Sequence, residues 1–369
     1  MNGIYLAVVI IGNYLGPVAA GYVAVNQSWR WVFWYCTIFM SVVTLIMVVF
    51  LEETKYTPRA LIGREIVDST DQETDLTKVD SMTKDTAPSI SVDASEAVTN
   101  NRRRLVEIDS TIPMDSYWRR HRFWSTEKVT TSESRSLWMH FYQPFQILCT
   151  FPAVMFCALQ YGFLIAMLAV LAVTQADLYP FPPYNFSPIG IGNLNIAPAV
   201  GAILGSIFGG PLNDYFILQV AKRRGGIYEP ETRLWLFLIP GFCMPLGLFL
   251  YGLTIAKGMN YWINIVGSAF IGAAIGGCGD IALTYCQDCY QYILGDALTS
   301  VVFVRNVIST ALVFAITPWI EGMGVYNMFV LLGCLSIAIA LTCVPLIIWG
   351  RAWRIKLAPR YEHFVAKQY

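Results

Sequence analysis

Eight apolar runs, each about 20 residues or more, constrain this chain most, because at about 1.5 Å per residue a helix of that length crosses roughly 30 Å of hydrocarbon. The runs lie at 4–25, 31–51, 147–174, 193–220, 234–255, 261–285, 297–320 and 327–349. In hydrocarbon a backbone has to satisfy its own hydrogen bonds, and runs of this length do so as helices. The expectation is therefore an all-α, polytopic membrane protein with about eight transmembrane helices. Composition agrees: 14% of the residues are charged and 56% hydrophobic, whereas a soluble domain carries roughly 25% charged residues.

The net charge of zero conceals a segregation, since charges crowd into 52–135, 222–233 and 351–367. Short loops rich in Lys and Arg stay on the cytoplasmic side. Lys222, Arg223 and Arg224 follow the fourth run, and Arg351, Arg354, Lys356 and Arg360 follow the last. An even number of crossings then puts both termini in the cytoplasm. Residues 1–51 form a hairpin of two spans, 52–136 a cytoplasmic central loop, 137–350 a six-span block and 351–369 a cytoplasmic tail. Residues 65–100 are too polar to offset the entropy of ordering, so this part of the loop is expected to be disordered. The basic clusters at 102–104 and 119–122 read as topology determinants or as contacts with an anionic lipid surface. They are too short, and too closely tied to spans, to suggest nucleic acid.

Two glycine patterns predict close helix packing. Gly12, Gly16 and Gly21 surround Pro17 in the first span, and Gly201, Gly205 and Gly209 recur at four-residue intervals in the fourth. Small residues at this spacing let a neighbouring backbone approach, and Pro17 removes a donor and invites a kink.

Polar groups inside apolar runs need an explanation, because a charge there costs several kcal/mol unless paired or wetted. Asp280 lies in span six, and Arg305 and Asn306 in span seven. Arg305 falls about 12 Å and Asp280 about 7 Å from the cytoplasmic ends of their spans. Those depths allow an ion pair, a shared network, or a role in substrate binding or a proton relay, with snorkelling as a further reading. Gln160 and Tyr161 are mid-span polar groups in span three. Asp214, at the exit of span four near Lys222, is read as a conformation-dependent gate or as a solvated interface charge. Glu229 and Glu231 compete for the same basic partners.

Catalytic and metal patterns are weak. Cys286 and Cys289 lack a second ligand pair, His121, His140 and His363 are scattered, and the Gly-rich stretches lack the Lys-Ser/Thr of a phosphate loop. No enzyme, cofactor or metal is expected.

Several motifs resemble the major facilitator superfamily, and within it the fungal drug:proton antiporter group. Gly12-x-x-x-Gly16-Pro17-x-x-x-Gly21 resembles the antiporter signature of the fifth helix, and Trp29-Arg30-Trp31-Val32-Phe33-Trp34 the opening of the sixth. Glu52-Glu53-Thr54 resembles that helix's closing Pro-Glu-Thr, without its proline. Gly210-Pro211-Leu212-Asn213-Asp214 with Arg223 and Arg224 resembles the second-half copy of the cytoplasmic loop motif. The stretches 225–235 and 284–290 look specific to the fungal subgroup. The resemblance implies a partial fold: helices five to twelve of twelve, with the first four missing and Met1 an internal start. Residues 1–51 are then the last two helices of the N-terminal half, and 137–350 is the C-terminal six-helix half.

The resemblance also implies a path for solute between the halves. Gln160, Tyr161, Asp214, Asp280, Tyr285, Arg305 and Asn306 are the substrate-path or gating candidates. The expected function is transport of a small organic solute or drug, proton-coupled, by a monomer in the plasma membrane. The alternative is a truncated, non-transporting remnant with an assembly or regulatory role. A membrane enzyme is the third class.

Overall fold

The computed structural model describes residues 2–50, 137–226 and 228–368. The charged loop read at 52–136, with its basic clusters, lies outside the described residues. Among the described residues the secondary structure is helical throughout. The α-helices are α1 (Asn2–Asn26), α2 (Trp29–Phe50), α3 (Leu137–Thr150), α4 (Pro152–Leu178), α5 (Pro188–Leu194), α6 (Ile196–Ile207), α7 (Asn213–Arg223), α8 (Arg233–Ala256), α9 (Tyr261–Cys289), α10 (Leu294–Leu341) and α11 (Cys343–Gln368). A π-helical turn, Phe208–Leu212, joins α6 to α7, and a 3-10 turn, Pro230–Thr232, precedes α8.

Local chemistry sets these boundaries. Pro152 opens α4 after an extended Phe151, and Pro188 opens α5, where the Ser187 hydroxyl accepts from the Gly190 amide at 3.3 Å. Asn260 caps α9 by accepting from the Trp262 amide at 3.1 Å. α10 has 48 residues and would be about 72 Å long if straight, more than twice the hydrocarbon thickness. It is broken at Gly324, whose φ of 78° is a left-handed conformation that glycine adopts freely.

Among the described residues, six helical stretches are long and apolar enough to cross a membrane: Trp29–Phe50, Pro152–Leu178, Pro188–Arg223, Pro230–Ala256, Tyr261–Cys289 and Leu294–Val365. The last contains the Gly324 break and accommodates both of the final two runs read from the sequence.

The chain divides into two compact units, Met1–Cys36 with Arg135–Tyr369, and Thr37–Ser134. In the second unit the described residues are 37–50, the latter part of α2. There Ser41 and Thr44 return their hydroxyls to the carbonyls of Thr37 and Met40 at 2.8 and 2.7 Å, so the helix satisfies its own polar side chains.

In the first unit α9 is the pillar. It packs on α4, α6 and α8, and its Gly267, Gly272, Gly276, Gly277, Gly279 and Asp280 are all buried. A Cβ placed on Gly201, Gly205, Gly272 or Gly276 would meet the carbonyl oxygen of Ala269, Ala273, Pro198 or Ala202 respectively, so the two backbones of the α6–α9 seam touch. A second seam joins α9 to α8, where a Cβ on Gly247 would stand 2.8 Å from the Gly267 carbonyl. α1 docks on α5, with the Cβ position of Gly21 only 2.7 Å from the Pro188 carbonyl and that of Gly192 only 2.9 Å from the Pro17 carbonyl. Around Gly12 and Gly16 there is no neighbouring atom within 4 Å of the Cβ position.

Candidate functional site

The described ion pairs of the first unit gather where α7, α8, α9 and α11 meet. After α7 the chain reverses through Gly225 and Gly226, at φ 72° and 87°, which glycine tolerates without strain. This reversal brings Tyr228 to Arg233 back across the ends of α7 and α9. The Arg233 guanidinium is 11% exposed and reaches Asp214 at 2.8 Å and Asp288 at 2.5 Å. Tyr228 donates to the same Asp288 carboxylate. Glu229 accepts from Arg224 at 2.7 Å and from Arg351 at 3.0 Å. Glu231, 7% exposed, is held by Arg354 through two parallel bonds of 2.7 Å each. Paired forks of this kind are among the stronger polar contacts a protein makes. The network ties α7, α8, α9 and α11 together at one membrane face.

Burial first, and the bond to Asp288 second, push the Tyr228 phenol up to about 12. Because the folded value lies above the usual tyrosine value of about 10, the phenol's contribution is whole below that value and is lost as pH rises through about 12. Tyr228→Phe is expected to lower stability by about 0.5–1 kcal/mol near neutral pH. It should also flatten the alkaline limb of the thermal-midpoint profile, measured on the detergent-solubilised chain.

A second polar group lies deeper. Gln160 and Tyr161 of α4 are 4% and 8% exposed. The Arg305 guanidinium, half-buried, sits 5.4 Å from the centre of the Tyr161 ring, a cation–π distance. Glycine at 162 makes this possible, since a Cβ there would lie 3.3 Å from the Arg305 Cα. From the start of α10, Arg305 lies about 17 Å along the axis, near the middle of a bilayer. Its Nε donates to the exposed Asn306 at 3.4 Å. The Gln160 Oε1 is buried without a hydrogen-bond partner.

Asp280, 2% exposed, turns the other way. Its Oδ2 stands 2.9 Å from the Cβ position of Gly210 in the π turn, and its Cβ 3.2 Å from that of Gly209. The depths of Asp280 and Arg305 allowed an ion pair, but among the described residues none joins them, because their side chains leave α9 and α10 toward different neighbours. Tyr285, 1% exposed, packs its ring on Phe156 at 6.4 Å. Its hydroxyl and Glu231 both border Gly350. Asp214 is an exposed member of the charge network, its carboxylate 61% exposed.

Arg233, Asp288 and Arg354 hold the network together, and sequence reasoning missed them as a group. Arg354 drew notice only as a topology signal, and Arg233 and Asp288 only as members of the stretches 225–235 and 284–290. A usable signal existed: the stretches 225–235 and 284–290 stood out together as subgroup motifs, and in the structure they supply Tyr228, Glu229, Glu231 and Arg233 on one side and Tyr285 and Asp288 on the other. Among the described residues no group of three or more His, Cys, Asp or Glu is placed to hold a metal ion.

Long apolar helices, a charge network at one end and an arginine–aromatic pair at mid-span define a polytopic α-helical membrane protein. The sequence profile of the Major Facilitator Superfamily matches residues 1–313, and the chain belongs to that superfamily. Its members are transporters and not enzymes. Relatives include a protein of Schizosaccharomyces pombe described as an uncharacterized MFS-type transporter, 32% identical over 98% of this chain and 64% of its own length. Protein HOL1 of Saccharomyces cerevisiae is 27% identical over 95% of this chain and 64% of its own length. Quinidine resistance protein 3 of Saccharomyces cerevisiae is 28% identical over 58% of this chain and 30% of its own length. The chain thus spans under two thirds of the length of these relatives. No solved structure gives a significant match.

Proposed function

We propose that the chain serves the transport of a small organic solute or drug across a membrane, in exchange for protons and by alternating access. The observation that carries this reading is the superfamily match over residues 1–313, which includes the mid-span Gln160, Tyr161 and Arg305. A cationic and aromatic group at that depth suits a polar solute that has left water. The Tyr228 to Arg354 network then acts as the gate on the cytoplasmic face, made when the bundle is closed there and broken when it opens. Both termini face the cytoplasm in this reading, and the plasma membrane is the proposed location of a monomer.

The relatives' names make quinidine a reasonable probe, since one of them is a quinidine resistance protein. With the purified chain in lipid vesicles and a pH step across the membrane, quinidine is expected to move against the proton gradient, faster than in protein-free vesicles, and to stop when a protonophore collapses the gradient. Flux equal to protein-free vesicles, for quinidine and for a panel of other organic solutes, would favour a role in assembly or regulation of other membrane proteins.

A further inference from the structure

Around the π turn that joins α6 to α7 lie three buried polar side chains whose hydrogen-bonding atoms find no protein partner. Asn213 is fully buried with neither its amide nitrogen nor its oxygen bonded; Asp280, 2% exposed, has Oδ2 unbonded; Ser206, 8% exposed, has Oγ unbonded. Unbonded polar atoms this deeply buried are uncommon and call for an explanation in the chemistry of the site.

The three groups cluster around this junction. Ser206 lies opposite Gly276, where a Cβ would stand 2.9 Å from its Oγ, and Gly210 lies opposite Asp280 one turn further along α9. Asn213 follows Gly210 by three residues, so the group extends for about 10 Å along the α6–α7 axis. Between its members is the π turn Phe208–Leu212, which contains Pro211. Proline has no amide hydrogen to give to the helix ladder. Turns of this kind occur often at functional sites.

A bare carboxylate in this position costs several kcal/mol, and no cation is bonded to Asp280 among the described residues. The charged and titratable groups around it oppose one another or are neutral. Asp214 of α7 and Arg233 of α8 act on it with opposite sign, Thr284 lies on its own helix, and from α4 the Tyr161 ring packs across Gly279.

We propose that Asp280 is a proton-binding site, with the unpartnered Asn213 on the side of the charge network and Ser206 toward the middle of the span. One proton taken from water at the charged end forms an O–H bond at Oδ2, and that bond breaks when the same proton leaves; no other bond changes. That the proton is exchanged for solute rests on the antiport reading above. The binding site itself does not.

Infrared difference spectra of the purified chain in lipid vesicles, titrated with acid and without any solute, test this directly. A buried carboxylic-acid band is expected to grow as the pH is lowered, and Asp280→Asn is expected to remove it. Asn213→Leu should move its midpoint by about one pH unit, a tenfold change in proton affinity, while Leu218→Ala on the exposed side of α7 leaves it in place. An unchanged band in a folded Asp280→Asn chain would overturn the proposal, as would a band that does not titrate. If Asp280→Asn does not fold, an unmoved midpoint in Asn213→Leu overturns it. Failure of the transport reading looks different: a titrating Asp280 band together with solute flux no greater than in protein-free vesicles.

Discussion

Gly205→Leu is expected to part α6 from α9 and to leave little folded chain in a detergent extract. The Cβ position at Gly205 already overlaps the Ala273 carbonyl oxygen and lies 2.9 Å from the Ala273 Cα. These are backbone atoms, which cannot rotate away as a side chain would. Overpacking a core by a few carbons costs about 1–3 kcal/mol where side chains can yield, so about 3 kcal/mol or more is expected here. Against a total stability of roughly 5–15 kcal/mol that is a large share. Gly16→Leu provides the contrast. It belongs to the other glycine pattern, four residues after Gly12, yet its Cβ position has open space around it. Leucine also has the better helix propensity by about 1 kcal/mol, so this change is expected to be neutral or slightly stabilising. The thermal midpoint and the monodisperse fraction on size exclusion distinguish the two. Equal loss from both substitutions would show that the α6–α9 seam is no tighter than the rest.

Arg354→Gln is expected to cost about 2–3 kcal/mol, because it leaves the Glu231 carboxylate buried without its cation. The figure is held to the low end because the Arg354 side chain is 30% exposed, while that of Glu231 is 9% exposed. Glu231→Gln leaves Arg354 free to reach water and is expected to cost less, about 1–2 kcal/mol. The double variant, with two neutral amides facing one another, is expected to recover part of the sum, and chemical unfolding of the four chains measures the coupling. Additive losses would mean that the paired geometry contributes nothing beyond its two members.

The helical spans were legible in the sequence to a large extent. The runs at 4–25, 234–255, 261–285 and 297–320 each fall inside one helix, those at 147–174 and 327–349 cross a helix boundary at Phe151 and at Thr342, and the gap between the last two runs contains the Gly324 break. Less visible was the interior of span four, read as one helix. It is α5, α6, a π turn and α7, because a slip in backbone hydrogen bonding at Pro211 leaves hydropathy unchanged. The glycine patterns marked close packing but not its location: Gly201, Gly205, Gly209 and Gly21 meet backbone, while Gly12 and Gly16 meet open space. The individual charges were legible, and their pairing was not. Asp214 was weighed against Lys222, Arg223 and Arg224, yet it meets Arg233.

What the sequence determined by itself was how many residues of each run suit hydrocarbon and where the uncompensated charges must leave it, since both follow from the cost of polar groups in an apolar phase. Only the tertiary structure decided which side chains meet. Each residue turns a helix by about 100°, so a partner is set by rotation about the axis, and helices such as α4 and α9, apolar on every side, carry no stripe to reveal that rotation. Thus Asp280 and Arg305, compatible in depth, face a glycine turn and a tyrosine ring instead of one another, while Glu231 and Arg354, far apart in the chain, form the buried pair.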